Sequence, residues 1–101
     1  MFQNVSVSDA VAMIENEKVN IIDIRDQQSF TQGHIQGAVH IDNNNIQSFI
    51  DSADKSLPLL ICCYRGNASQ AAAHTLYQQG FEKTYSLSGG MCDWVLTQPV
   101  I

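Results

Sequence analysis

Apolar positions along this chain keep two rhythms in turn, one suited to strands and one to helices. SDAVAMIEN (8–16) sets Ala10, Val11, Met13 and Ile14 on one helical face, with Ser6 or Ser8 placed to cap its start. VNIIDI (19–24) is a β-branched run of strand length, and QQSFTQGH (27–34) predicts a short helix stopped by Gly33. AVHI (38–41) predicts a second short strand. In NNIQSFIDSAD (44–54), apolar residues at 46, 49, 50 and 53 form the stripe of an amphipathic helix, and the Asn43–Asn45 run before it reads as loop and cap. LPLLICC (57–63) is the most apolar run and predicts a central strand covered on both faces. ASQAAAHTLYQQG (68–80) is an alanine-rich helix ending in a glycine. TYSL (84–87) predicts another strand, and GGMCDWVLTQ (89–98) a closing turn and helix before Pro99.

Strands alternating with helices imply an α/β fold: a mostly parallel sheet in a three-layer sandwich, with helices on both faces. With no linker or repeat, residues 1–101 read as a single domain. Ligands of such sheets bind beyond the carboxyl ends of the strands. Cys63 stands at that end of the most apolar strand.

Composition narrows the partners. A net charge of −5 argues against nucleic acid or an anionic membrane as the main partner, so any anion must be held by a local device. No apolar run reaches the length of a membrane span, and MFQNVSVSDA lacks the basic and apolar regions of a signal peptide. A cytoplasmic address is the expectation. Cysteines at 62, 63 and 92 are odd in number, two of them neighbours, and show no paired C-x2-C spacing. Neither a disulfide framework nor a metal site is expected, which leaves thiols.

The stretch CYRGNAS (63–69) carries the candidate chemistry. A tight turn from a strand into a helix gathers unpaired N–H groups around one point, and the helix dipole adds to their pull on an anion. Gly66 permits a left-handed backbone and Asn67 tolerates one. A thiol at the centre should have its pKa lowered, because the N–H groups favour the charged form. Arg65 is the only positive charge in the loop, and Ser69 can donate a further hydrogen bond. Cys62, one residue back, points to the opposite face and reads as a small buried hydrophobe, with a vicinal disulfide or a resolving thiol as the alternatives. Cys92, near Trp94, is expected to be packed or semi-exposed, and Trp94 to be core.

The neighbouring residues weaken other chemistries. Phosphatases with a Cys-x5-Arg loop clamp phosphate with the arginine, but the sixth residue after Cys63 is Ser69. The residue before Cys63 is Cys62 rather than histidine. Asp23 and Arg25 read as an ion pair anchoring loops at the carboxyl edge, in preference to electrostatic support of the loop. His34 reads as a hydrogen-bonded structural residue, since a stabilised thiolate needs no base. His40 and His74 have no ligand spacing, and Gly89-Gly90 reads as a tight turn facing the loop.

Three motifs together resemble the rhodanese family, and most closely its single-domain, GlpE-type thiosulfate sulfurtransferases. They are IIDIRDQQSFTQGHIQGAVHI (21–41), CYRGNAS (63–69) and LSGGMCDW (87–94), in that order across the whole chain. The resemblance implies a rhodanese-like fold and sulfur transfer by double displacement. Cys63 would take the outer sulfur of thiosulfate and pass it to cyanide or to a thiol such as reduced thioredoxin. It implies a six-residue loop from Cys63 through Ala68, with Tyr64, Arg65, Gly66, Asn67, Ala68 and Ser69 holding the donor and Asp23, Arg25 and His34 supporting the site. No metal or organic cofactor is implied. A non-catalytic persulfide carrier that docks on a partner protein is the alternative from a different class. A phosphatase or arsenate reductase is the third reading, disfavoured by Ser69.

Overall fold

In a computed structural model describing residues 1–101, the strand Leu59–Cys62 has all four residues buried and lies at the middle of the sheet. We number elements along the chain: β1 Gln3–Val5, α1 Val7–Asn16, β2 Asn20–Asp23, α2 Gln27–Gln32, β3 Val39–His40, α3 Ile46–Ser52, β4 Leu59–Cys62, α4 Ala68–Gln78, β5 Thr84–Leu87 and α5 Gly90–Thr97. The sheet order is β1-β5-β4-β2-β3, and every pairing is parallel. The sheet is therefore wholly parallel, with all strand carboxyl ends at one edge.

The side-chain alternation of β4 builds two cores. Leu60 and Cys62 face Ala10 of α1 and Met91 and Trp94 of α5. Leu59 and Ile61 face Ala73 and Leu76 of α4, together with Ile22, Ile41 and Phe81. Phe49 and Ile50 of α3 pack against that second cluster, with Phe49 stacked on Phe81 at 5.6 Å. Leu59, Leu60 and Ile61 are fully buried, each contributing about 2 kcal/mol of apolar burial. A strand apolar at every position is one with a helix layer on each side.

Two local expectations change, and two helix ends gain detail. β1 was not expected: only Val5 of its three residues is even half-buried, and the strand exists through its pairing with β5, Gln3 opposite Tyr85 and Val5 opposite Leu87. α3 starts at Ile46 with Asn45 at the cap position, but the Asn45 side chain caps nothing. Its Oδ1 accepts from the Asp42 N–H at 2.8 Å and its Nδ2 donates to the His40 carbonyl, so it ties the end of β3 to the loop. Gly33 ends α2 in an extended conformation, φ 173°, which demands no glycine. α1 begins one residue early, with Ser6 accepting from the Asp9 N–H.

Candidate active site

β4 ends at Cys62, so Cys63 is the first residue of the connection to α4. Period-2 geometry turns Cys62 toward α1 and α5 and leaves Cys63 on the side of α4. The α4 cap position, Asn67, makes no side-chain cap bond. Its place as acceptor is taken by sulfur: the Ser69 N–H donates to Cys63 Sγ at 3.3 Å and the Gly66 N–H at 3.2 Å. Ser69 Oγ lies 3.2 Å from the same sulfur. One orphan N–H of the helix start, one N–H of the loop and a serine hydroxyl thus gather around a single atom.

The carbonyls of the loop face the other way. Met91 and Cys92, in the first turn of α5, donate their N–H groups to the carbonyls of Cys63 and Tyr64 at 2.8 and 2.9 Å. Gln70 Nε2 donates to the Gly66 carbonyl at 2.9 Å. The loop is thus clamped from outside by α5 while its N–H groups point inward. Gly66 alone in the loop has a left-handed backbone, φ 91°. Asn67, which could tolerate a left-handed backbone, is right-handed, φ −88°: one inversion at Gly66 suffices to start α4.

Burial by itself pushes the Cys63 thiol up, but the Ser69 hydroxyl and the N–H groups of Ser69, Gly66 and Arg65 outweigh it and hold the pKa below its ordinary value. Cys62 goes the opposite way. Fully buried and beside Asp23, it is pushed far up and stays a neutral thiol. Cys92 is exposed on α5, so it is not a core residue, whereas Trp94 is buried and donates Nε1–H to the Pro99 carbonyl.

A shallow pocket of about 240 Å³ opens at the loop, lined by Cys63, Tyr64, Arg65, Asn67 and Ala68. Tyr64 and Arg65 are exposed there. The Tyr64 hydroxyl reaches away to α2, donating to Asp26 and lying 2.7 Å from Ser29 Oγ. That bond, with the Ser29 N–H, holds the Asp26 carboxyl down at about 2. A larger hollow of about 610 Å³ between the starts of α1 and α5 is lined by Ser6, Ser88, Asp93 and Leu96 among others, and has no cysteine in its lining.

Asp23 and Arg25 form a buried pair, Nη2 to Oδ2 at 2.7 Å, with Nε also donating to the carboxylate. The carboxylate raises the Arg25 pKa against the opposing effect of burial. Arg25 also donates to the Gly33 carbonyl and lies 5.9 Å from the centre of the Tyr64 ring, so it joins the end of β2 to α2 and to the loop. His34 is 2.8 Å from the Phe30 carbonyl through Nδ1 and stacked on the Phe30 ring. His40 bonds the Arg25 carbonyl, and His74 is exposed on α4. No histidine bonds the sulfur. Sequence reasoning missed Gln70, the α5 N–H clamp and Ser86, whose hydroxyl lies 2.7 Å from Ser69 Oγ. Gln70 and Ser86 lie outside the three motifs, whereas the clamp lies within LSGGMCDW (87–94), where the turn assigned to Gly89-Gly90 pointed to it.

The family model for the rhodanese-like domain matches residues 6–97. Among curated proteins, the thiosulfate sulfurtransferase GlpE of Shewanella oneidensis is 47% identical over 93 residues, covering 92% of each chain. That of Pseudomonas aeruginosa is 46% identical over 98 residues, covering 97% of this chain and 88% of the relative. Among solved structures, a rhodanese-related protein from Thermoplasma volcanium superposes with a TM-score of 0.84 at 21% identity, covering 99% and 98% of the two chains. A rhodanese-like domain from Anabaena gives 0.86 at 23%, covering 100% and 80%. At those identities the structures speak for the fold alone.

Proposed function

We propose, from the premise that this chain belongs to the rhodanese-like domain family, that it is a thiosulfate sulfurtransferase whose nucleophile is Cys63. The observation that carries the residue assignment is the gathering of two N–H donors and the Ser69 hydroxyl around one sulfur, with no base attached to it. Such a site keeps a thiolate at hand and needs no proton transfer to react.

The Cys63 thiolate attacks the outer sulfur of thiosulfate. The sulfur–sulfur bond of the donor breaks, and sulfite leaves with its electron pair. The charge formerly on Cys63 now sits on the outer sulfur of the persulfide. The cradle that held the thiolate faces that charge at nearly the same place, so both resting states of the cycle are stabilised by one set of donors. Cyanide, or a thiolate acceptor such as reduced thioredoxin, then attacks the outer sulfur and returns the Cys63 thiolate. No proton is consumed in the cyanide cycle.

Sulfur is favoured over phosphorus because Ser69 stands where a phosphate-clamping arginine would be, and its hydroxyl is engaged with Cys63 and Ser86. The exposed Arg65 at the pocket rim attracts the donor dianion, while Tyr64, Asn67 and Ala68 shape the pocket. Asp23, Arg25 and His34 support the loops around it. The protein acts as one domain, in the cytoplasm, without a cofactor.

Thiocyanate formation from thiosulfate and cyanide, with intact-mass analysis after thiosulfate alone, tests this reading. The expected result is one added sulfur on Cys63, and loss of both signals in Cys63→Ser. Sulfur found on Cys62 or Cys92, or activity retained by Cys63→Ser, refutes the assignment. Sulfur loading without turnover on cyanide would instead identify a relay module. Arg65→Ala is expected to raise KM for thiosulfate several-fold, an effect that shrinks in high salt.

A further inference from the structure

Beneath Cys63 lies a short chain of buried hydroxyls. Ser69 Oγ is 3.2 Å from Cys63 Sγ and 2.7 Å from Ser86 Oγ, and both serines are fully buried. Ser86 is on β5, opposite Ile61 of β4, and its side chain emerges on the α4 side of the sheet directly below Ser69. Ser69 is the only hydrogen-bond partner of its hydroxyl. Thr84, two residues back on the same face, is also buried, and its hydroxyl has no partner at all, so it does not compete for the Ser86 hydrogen.

We propose that Ser86 is a positioning residue for sulfur transfer: its hydroxyl donates to Ser69 Oγ and thereby turns the Ser69 hydrogen onto the Cys63 sulfur. A serine hydroxyl rotates freely and carries one hydrogen, so the groups around its oxygen decide where that hydrogen points. When the sulfur is a thiolate, Ser86 donates to Ser69 and Ser69 donates to sulfur. Two hydrogens then serve two bonds, and nothing buried is left over. When the sulfur is a thiol, the same two bonds must accommodate three hydrogens. Either the S–H has no acceptor, or the chain reverses and the Ser86 hydrogen has none. An unmatched buried donor carries a free-energy penalty, so the chain selects the charged sulfur.

The charged groups near the loop do not explain this selection. Arg65 is exposed in the loop, Asp23 and Arg25 pair with each other behind Cys62, and Asp93 of α5 stands over Gly89. No bond joins any of them to Ser69 or Ser86. On the α4 side the nearest titratable side chain along the helix, His74, is exposed.

The inference rests on Cys63 as the nucleophile, but its test does not require sulfur transfer. In a Cys92→Ser background, the rate of iodoacetamide alkylation of Cys63 is followed against pH by mass spectrometry. Ser86→Ala should move the midpoint upward by roughly half to one unit, the size expected for losing one supporting hydrogen bond, and lower the rate below the midpoint by roughly three- to tenfold. Ser69→Ala should move it further, and the double variant should match Ser69→Ala alone, because Ser86 acts only through Ser69. Ser86→Thr, which keeps the hydroxyl, should restore the midpoint. An unmoved midpoint in Ser86→Ala, even with a lower melting temperature, would assign Ser86 to packing and overturn the proposal. An additive double variant would overturn it as well. Failure of the parent protein to take sulfur from thiosulfate would refute the transferase reading while leaving the alkylation result to judge Ser86.

Discussion

Gly66→Ala is the perturbation that most directly separates the loop's backbone from its chemistry. Gly66 has φ 91°, where an L residue is strained by about 1–2 kcal/mol. Its added Cβ would lie 2.9 Å from the Gly89 N and 3.0 Å from the Leu87 carbonyl oxygen, both backbone atoms of the β5–α5 turn. Neither can swing aside like a side chain, so the loop must lift away from the turn, at a further cost of about 1–2 kcal/mol. The total, about 2–4 kcal/mol, corresponds to a fall in melting temperature of roughly 10–25 °C for a domain of this size. Gly37→Ala is the control. It has a similar φ, 88°, but an added Cβ there meets nothing within 4 Å, and Gly37 precedes β3 at the opposite edge of the sheet. Only the strain of about 1–2 kcal/mol should appear. The Gly66 N–H also donates to the sulfur at 3.2 Å, so lifting the loop should cost roughly tenfold in kcat/KM near neutral pH, with no change in Gly37→Ala. Thermal melts and thiocyanate assays on both variants check this. Equal melting losses, or full activity in Gly66→Ala, would refute the close-packed cradle.

Arg25→Ala strands the Asp23 carboxylate at 1% exposure and should cost about 3 kcal/mol in urea unfolding, with Arg25→Lys recovering only part because the two-point fork is lost. Less than about 1 kcal/mol would show the pair to be dispensable. Native-state alkylation should label Cys63 and Cys92, whereas Cys62, buried with its pKa pushed up, should react only after unfolding; rapid labelling of Cys62 would place it outside the core. The depressed pKa of Cys63 sets a sign for stability against pH. Its contribution is fully present above the unfolded-state value, near 8.5, and is lost as pH falls through the lower folded value. The melting temperature of the parent relative to Cys63→Ser should therefore rise with pH through that window, and a flat or falling difference would contradict the thiolate cradle.

Much of this protein is determined locally and is legible in its chain. The unbroken apolar run Leu59–Cys63, short and following Pro58, reads as a strand with a helix layer on each side, and the period of two then decides which cysteine meets α4. Gly66 and the start of α4 follow from short-range backbone rules. Partners distant in the chain follow no such rule. β1 has too little apolar character to declare itself and forms because β5 offers an open edge. Asn45 resembles a cap, yet the end of β3 claims its side chain. The α5 N–H groups that hold the loop's carbonyls come from 28 residues downstream, and the Ser86 hydroxyl beneath Ser69 from 17. A hydrogen bond depends on where both partners arrive, and β5 arrives beside β4 only when the sheet assembles. The sequence alone therefore marked Cys63 and the turn after it as the candidate site, while tertiary packing decided which N–H groups hold the loop's carbonyls and which hydroxyl lies beneath Ser69.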